Sequence, residues 1–276
     1  MRKKIIMKLK KNKHSNPSLY GFHSVREAWL NEERTIHTLY LSEQAQRGFE
    51  QTISEGRKKG LRRPEPTIIE KHRLEKMLPR GAVHQGIALA CTNAEEHDVQ
   101  DFIIMANSQE KTVLAILDQV TDPHNVGAIL RSASAFGLDG VIMQKKHAPT
   151  LDGVLAKTAC GAVDHIPVAQ ATNLSRTIKE LQDEGFYVIG LDEHGKKEIG
   201  QVMRTRQYNT GKLTDICEPP DESTKIVIVL GSEGDGIRRL VKESCDEMVK
   251  LPTKGAIASL NVSNAAAVTF YALMHK

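Results

Sequence analysis

The sequence has no apolar run of the roughly 20 residues that cross a membrane as a helix. It also has no sustained apolar segment after its basic start, so no secretory signal peptide is predicted. Its four cysteines are scattered without the spacing of a zinc site. We therefore expect a cytoplasmic protein with reduced thiols, no membrane contact and no bound metal.

The composition that is present indicates a globular α/β protein. The chain has 276 residues, of which 40% are hydrophobic, and this length is more than one core usually fills. Short predicted strands and helices alternate along both halves. We expect a small N-terminal α/β domain over residues 17–92, a polar linker over 93–110 and a larger parallel-sheet α/β domain over 111–276.

Residues 1–16 form a basic tail that contains no acidic residue. A mobile basic arm attracts a polyanion, most simply nucleic acid. A solvated, disordered terminus without a partner is the alternative, so the charge alone supports RNA binding only weakly. The basic residues of the tail are Arg2, Lys3, Lys4, Lys8, Lys10, Lys11 and Lys13.

The small domain is predicted from short periodic segments. Strands are expected at 39–41, 67–69 and 87–91, and helices at 24–30, 48–59 and 71–78. Ser24 and Glu27 have the spacing of a capping box at the start of the first helix. The loop 79–86 holds Arg80, His84 and Gln85, whose side chains suit phosphates or base edges. A plain surface loop explains these residues equally well.

The first motif of the large domain follows a buried strand predicted at 112–117. Asn125 is expected to cap the next helix and Gly137 to end it, while Val126 and Ile129 begin its apolar face. Arg131 lies on the other face among small side chains. It is either an ordinary solvated charge or a guanidinium that holds an anion.

The second motif is Gly231-Ser-Glu-Gly-Asp-Gly236, between a predicted strand at 226–230 and a helix. Such loops bind nucleotides in α/β proteins, but this one lacks the dinucleotide spacing and the P-loop lysine. Glu233 and Asp235 would repel a pyrophosphate. The pattern favours a nucleoside without phosphates, such as S-adenosylmethionine, over a purely structural turn.

The third motif spans residues 251–267. Ser259, Asn261, Ser263 and Asn264 precede a helix that begins with three alanines. Small residues allow another backbone or a ligand to approach closely, and the polar side chains can cap a helix or bind a ligand. A capped helix packed against a crowded core is the alternative interpretation.

Together the three motifs resemble those of the SpoU (TrmH) RNA 2′-O-ribose methyltransferases of the SPOUT superfamily. The chain carries them in the same order, as Asn125 to Arg131, Gly231 to Gly236 and Ser259 to Ser263. Residues 19–91 are similar to the small RNA-substrate-binding domain of the family. Thr253-Lys254 and the long polar stretch before Ile226 depart from the family pattern.

The resemblance implies a deep trefoil knot in the large domain, with the final helix passed through a loop. It implies S-adenosylmethionine as cofactor, held by backbone of Gly231, Leu251 and Leu260. It also implies a homodimer through the C-terminal domain, with the active site at the interface, and no metal.

The same resemblance assigns site residues. Arg131 is the central catalytic group; because arginine stays protonated, we expect it to clamp the phosphate beside the target ribose rather than act as a base. Asn125 would position substrate or Arg131, and Glu233 would orient Arg131 or bind an RNA donor. Ser259 and Asn261 would fix these groups.

The two-domain form is similar to family members that methylate a guanosine of 23S rRNA. This gives the expected reaction, methyl transfer from S-adenosylmethionine to a ribose 2′-hydroxyl in 23S rRNA. A tRNA 2′-O-ribose methyltransferase and a non-catalytic RNA-binding protein on the same scaffold are the alternatives. The target nucleotide does not follow from the sequence.

Overall fold

The strands lie in two sheets in the computed structural model, which describes residues 16–201, 225–256 and 259–275. The basic residues of the tail and most of the polar stretch before Ile226 lie outside the described residues. The four-stranded sheet has the order β1-β4-β2-β3. Its strands are β1 (Leu19–Tyr20), β2 (Ile36–Leu41), β3 (Thr67–Ile68) and β4 (Ile87–Cys91).

Three helices cover the four-stranded sheet: α1 (Phe22–Leu30), α2 (Glu43–Lys58) and α3 (Lys71–Met77). The predicted capping box at Ser24 is wrong. The helix begins at Phe22 after Gly21, and the Ser24 hydroxyl donates back to the Tyr20 carbonyl from inside the first turn. The predicted start of α2 at residue 48 is five residues late. Its N-cap is Ser42, whose side chain accepts from the Ala45 amide.

The seven-stranded sheet is parallel throughout and has the order β7-β6-β5-β10-β8-β11-β9. Its strands are β5 (Thr112–Asp118), β6 (Gly140–Gln144), β7 (Val168–Ala171), β8 (Tyr187–Leu191), β9 (Lys197–Glu198), β10 (Lys225–Gly231) and β11 (Glu247–Lys250). From β5 the chain adds β6 and β7 on one side, and after β8 and β9 it returns to place β10 beside β5. The carboxyl ends of β5 and β10 form the switch point where ligands bind in open α/β sheets.

Helices cover both faces of the seven-stranded sheet. They are α4 (Val99–Asn107), α5 (Pro123–Phe136), α6 (Gly153–Ala159), α7 (Leu174–Asp183), α8 (Arg239–Ser244) and α9 (Val262–Met274). One buried cluster joins α5, α6 and α9 to one face, and a second joins α4, α7 and α8 to the other. The parallel α/β fold expected from the sequence is present, and the trefoil knot stays a prediction.

Segment 93–110, predicted as a polar linker, contains α4. Phe102 and Ala106 of this helix are buried, and the Phe102 ring lies where a side chain on Gly140 would stand. The helix therefore forms part of the cover of the seven-stranded sheet. Its capping box pairs Asp98 with Asp101.

The two sheets share one buried cluster, which includes Trp29 and Leu89 from the small sheet and Leu155 from α6. Arg34 Nε donates to Asp164 Oδ1 at 2.6 Å, and both side chains are almost fully buried. Asn31 Nδ2 donates to the same carboxylate oxygen at 3.0 Å. The contacts make a packed junction between the small sheet and the segment from α6 to Asp164.

Candidate active site

The glycine loop starts where β10 ends. Gly231 is the register partner of Asp118 at the end of β5. A Cβ added to Gly231 would lie 2.2 Å from the carbonyl carbon of Gly236, so the loop folds back on itself more closely than any other residue allows. Hydrogen bonds between the backbones of Ser232 and Gly236, at 3.1 and 3.2 Å, close the turn.

Asp118 anchors the far end of this loop, a role that the sequence analysis missed. Its carboxylate is fully buried and accepts from the Arg238 amide at 2.8 Å and from the Arg238 guanidinium at 2.7 and 2.8 Å. A charged pair with this many hydrogen bonds holds its geometry firmly. The available signal was an acidic residue directly after a buried strand.

The helix α5 begins one residue after Asp122, whose carboxylate accepts from the His124 amide. The prediction that Asn125 caps this helix is therefore wrong, since Pro123 already occupies the first turn and suits it. Asn125 lies inside that turn, is 8% exposed and is free to bond elsewhere. Gly137 ends the helix in the left-handed conformation, as predicted.

Residues from all three sequence motifs meet in one hydrogen-bonded network. Asn125 Nδ2 donates to Glu233 Oε1 at 3.0 Å. Asn261 Nδ2 donates to Asn125 Oδ1 at 3.0 Å and also reaches Glu233 Oε1. Asn261 is at the same time the N-cap of α9, and its Oδ1 accepts from Ser263. We call Asn125, Glu233 and Asn261 the amide–carboxylate network.

A cavity of about 360 Å³ lies beside this network. Gly231, Leu251, Ser259 and Leu260, four residues predicted for the site, all line it, and Glu233 joins the cavity to the network. Ser259 is exposed and takes no part in the network. The predicted cofactor positions therefore surround one space at the carboxyl ends of the strands.

An ion pair that the sequence analysis missed closes one side of this cavity. Lys242 Nζ contacts Asp192 Oδ2, and the His194 amide donates to Asp192 Oδ1 at 2.8 Å. Burial alone would raise the pKa of Asp192, but the bond and charge of Lys242 outweigh it and lower that pKa below its usual value. Asp192 is thus a fixed negative charge in the cavity wall.

Arg131 is not part of the amide–carboxylate network. It lies six positions beyond Asn125 on α5, which is roughly 9 Å along the helix and about 120° around it. Its side chain is exposed, and within residues 16–201, 225–256 and 259–275 it has no hydrogen-bond or ion-pair partner. The structure therefore brings together four of the five predicted catalytic positions around one cavity or network, but not the arginine.

A larger cavity of about 710 Å³ lies at the junction of the two sheets, with Arg34 and Asp164 in its wall. It shares no lining residue with the cavity beside the network. In the described part of the chain, no group of three or more His, Cys, Asp or Glu side chains has the arrangement of a metal site. No helix in that part is long and apolar enough to span a membrane.

Comparison with known families gives two matches that cover most of the chain. Residues 112–271 match the model of the SpoU rRNA Methylase family, and residues 18–97 match the model described as RNA 2′-O ribose methyltransferase substrate binding.

Curated relatives match along nearly their whole length. The 23S rRNA (guanosine-2′-O-)-methyltransferase RlmB of Vibrio vulnificus is 34% identical over 261 residues, covering 93% of this chain and 96% of the relative. The enzyme of the same name from Coxiella burnetii is 35% identical over 256 residues, covering 92% and 93%.

Solved structures show the same fold at low sequence identity. The SpoU methyltransferase AviRb from Streptomyces viridochromogenes, in complex with AdoMet, superposes with a TM-score of 0.67 at 20% identity, covering 93% of this chain and 88% of that one. An AdoMet-bound rRNA methyltransferase from Sinorhizobium meliloti has the same TM-score and identity, covering 93% and 86%.

Proposed function

We infer the function from one premise: the chain belongs to the SpoU rRNA methylase family. It is an S-adenosylmethionine-dependent RNA 2′-O-ribose methyltransferase, as the sequence predicted. We propose that its target is a guanosine of 23S rRNA, because the relatives that it resembles over nearly their whole length carry that name. We also propose that it acts in the cytoplasm, because these relatives are bacterial enzymes named for a ribosomal RNA substrate.

The cavity beside the amide–carboxylate network suits the cofactor. Its volume falls within the range of about 300–1,000 Å³ that is usual for small-ligand pockets. Asp192, Glu193, Glu233 and Asp235 line it and outnumber the charge of Lys242. A negative lining favours a cationic ligand and disfavours a phosphate, and S-adenosylmethionine supplies a methyl group that its positive sulfonium activates.

We propose that backbone of Gly231, Leu251 and Leu260 holds the cofactor, as the resemblance implies. Gly231 supports this assignment because its loop leaves no room for a side chain. Leu251 follows β11 directly, Leu260 precedes the α9 cap, and both line the cavity. Ser259 lies between them in the same wall.

The amide–carboxylate network is the observation that carries the proposed chemistry. Glu233 accepts amide hydrogens from Asn125 and Asn261, and each asparagine is itself fixed, one in α5 and one at the α9 cap. Side chains held in this way orient a substrate without further ordering. We propose that they position the target ribose beside the cofactor cavity.

Arg131 needs another way to reach the reaction, and we propose that it serves the site of a partner copy. The exposed face of α5 that bears Arg131 continues to Ala135, next to an exposed apolar patch on α9. Val268 and Tyr271 of that patch are 50% and 56% exposed, and the Tyr271 ring lies 5.8 Å from that of Phe136. A symmetric dimer would cover the patch and carry Arg131 across the interface.

The reaction requires that a 2′-hydroxyl, a weak nucleophile, lose or share its proton. Arg131 stays protonated and cannot accept that proton. Its planar fork suits the phosphate next to the target ribose, where it would hold the hydroxyl in line and let a phosphate oxygen share the proton. The network would hold the ribose from the other side.

We further propose that residues 17–92 select the RNA, while 111–276 hold cofactor and chemistry. The match of residues 18–97 to a substrate-binding model supports this division. The three motifs that carry the site residues all lie in the second half.

The proposal is tested by methylating unmodified transcripts of 23S rRNA and of tRNA with purified protein and labelled S-adenosylmethionine. Digestion and mass spectrometry should find 2′-O-methylguanosine at one position of 23S rRNA and none in tRNA. Methylation of a base, or of tRNA alone, would contradict the proposal. In a deletion strain, the same 23S position should lose its methyl group.

A further inference from the structure

Two polar contacts of consecutive α6 residues lie between the small sheet and the amide–carboxylate network. The first involves Gln85, in the loop before β4, which adopts a left-handed backbone with φ of 56°. Gln85 Oε1 accepts from the Phe22 amide at 3.1 Å and from Lys157 Nζ at 3.0 Å. This strained conformation is rare for a residue other than glycine, and the two bonds hold it in place.

Lys157 belongs to α6 on the seven-stranded sheet and reaches back over the small sheet. Its side-chain carbons lie where a Cβ on Gly21 would stand. In the described part of the chain, the only hydrogen-bond partner of its ammonium group is the uncharged amide of Gln85. Its positive charge is therefore held at the boundary of the two sheets without a neutralising carboxylate.

The next residue on α6 makes the second contact. Thr158 Oγ1 lies 3.5 Å from His124 Nδ1, and His124 precedes Asn125 of the network. Gly127 makes this approach possible, since a Cβ there would lie 2.7 Å from the Leu155 carbonyl oxygen and 2.8 Å from the Thr158 Cβ. We call Gln85, Lys157, Thr158 and His124 the polar ridge.

Further positive charge lies at the carboxyl end of β6 in the seven-stranded sheet. Lys145 and Lys146 follow β6, the neighbour of β5, and both are exposed. Within the described residues, neither forms an ion pair. Lysines without carboxylate partners beside a site are the usual footprint of nucleic-acid backbone contacts.

We propose that the polar ridge carries the RNA backbone from the small sheet to the target ribose, with Lys157 bound to a phosphate. This inference rests on the proposed function, because the RNA that follows the ridge is the substrate. Gln85 holds the ammonium group in position, and Thr158 and His124 offer polar contacts in the last step before Asn125. The ridge thus sets how far the target nucleotide lies from the part of the RNA that the small sheet binds.

The test measures binding of a 23S rRNA fragment by fluorescence anisotropy at several salt concentrations. Lys157→Met keeps the apolar stem over Gly21 and removes the charge. One lost phosphate contact lowers the slope of log affinity against log salt by about 0.7 for single strands, which is about fivefold in affinity at 0.1 M salt against a 1 M reference. Lys157→Arg should restore the slope.

Two control variants separate a phosphate contact from a structural clasp. Lys179→Met removes an exposed lysine of α7, on the opposite face of the sheet, and should leave the slope unchanged. Gln85→Ala removes the bond that positions Lys157 but leaves its charge, so it should weaken binding somewhat at every salt concentration and keep the slope. If Lys157→Met leaves the slope unchanged, or if Gln85→Ala lowers it equally, the proposal is overturned.

The outcome is separable from that of the proposed function. A wild-type protein that methylates 23S rRNA while Lys157→Met binds normally would retain the function and refute the ridge. Alternatively, the wild-type protein could fail to methylate 23S rRNA while Lys157→Met still lowers the salt dependence of RNA binding. That result would refute the proposed target and support the ridge as an RNA contact.

Discussion

The junction of the two sheets and the candidate site each contain an arginine, but the two arginines have opposite surroundings. At the junction, Arg34 is 4% exposed, donates from Nε to Asp164 at 2.6 Å and from Nη1 to the Thr92 carbonyl at 2.7 Å. Near the site, Arg131 is exposed and has no ion-pair partner among the described residues. The first arginine stabilises the fold, and we propose that the second acts on RNA at the site of a partner copy.

The contrast between the two arginines has a physical reason. Burying a charge costs its hydration energy, which hydrogen bonds and an opposite charge inside the protein must offset. A structural arginine is therefore recognised by its bonds. A catalytic group must keep its donors for the transition state. Arg131 has no partner among the described residues and lies in a motif that resembles one of the family, and these two facts support the proposed role.

The largest expected effect on stability comes from removing Arg34 at the junction. Arg34→Ala leaves the buried Asp164 without its counter-charge, and breaking a pair of this kind costs about 3–5 kcal/mol. The free energy of unfolding, from urea titration followed by circular dichroism, should fall by that amount. Arg131→Ala, an exposed position, should change it by less than about 0.5 kcal/mol.

A double variant serves as the control for the junction. Arg34→Met with Asp164→Leu removes both charges and should regain much of the lost stability, because no lone buried charge remains. A fall of less than about 1 kcal/mol in Arg34→Ala would show that the junction does not depend on this pair, and the contrast with Arg131 would fail.

A second test compares a glycine of the site with an exposed glycine of α2. Gly231→Ala places a Cβ against the Gly236 backbone, so the loop must open, and overpacking of this kind costs about 1–3 kcal/mol. Calorimetry should show at least tenfold weaker binding of S-adenosylmethionine. Gly48→Ala in α2 meets no atom within 4 Å; it should raise stability by about 0.5–1 kcal/mol and leave cofactor binding unchanged. Equal cofactor affinity in the two variants would contradict the role of the loop.

The smallest expected effect is the pH dependence of stability that His84 of the small domain contributes. Burial lowers the pKa of His84, which lies in the same loop as Gln85 and whose ring accepts from the Gly86 amide at 3.1 Å. The unfolded chain therefore takes up this proton first as the pH falls below about 6.5. Stability should decrease with falling pH from that point down to the folded pKa, by at most about 1.4 kcal/mol per pH unit.

The control for this effect is His84→Gln, which cannot titrate. Its stability should lack this component over the same pH interval when both proteins are unfolded by urea. A stability that rises as the pH falls, and does so only in the wild type, would show that His84 is stabilised in its charged form.

Sequence patterns predicted most elements and the motifs well, and the errors have local causes. The strand at 87–91 follows from a short apolar run bounded by Gly86, and the end of α5 follows from Gly137 in the left-handed conformation. Asn125 was predicted as the cap, but Asp122 followed by Pro123 is the stronger helix-start signal in the sequence and forms the actual start. The true partners of Asn125 lie more than 100 residues away, so no local pattern indicates them.

The junction was the part that the sequence could not foresee. Arg34 and Asp164 are far apart in the chain and neither belongs to a motif, so only the packed structure reveals their pair. Residues 93–110 read as a polar linker because the buried side of α4 is short, with Phe102, Ile103 and Ala106. Because the two sheets share a core, point variants test the division of labour better than removal of the first 92 residues.

The most direct test of the account asks whether Arg131 serves the site of the partner copy. Chains with Arg131→Ala and chains with Asn125→Ala are co-expressed with different tags, and heterodimers are purified through both. Each homodimer should lose methyl transfer by roughly a hundred- to thousandfold, or ~3–4 kcal/mol. In the heterodimer, one site would combine an intact Asn125 with the intact Arg131 of the other chain, so the account predicts about half of wild-type activity per dimer. Heterodimer activity as low as that of the homodimers would show that Arg131 acts within its own chain, and would contradict the account.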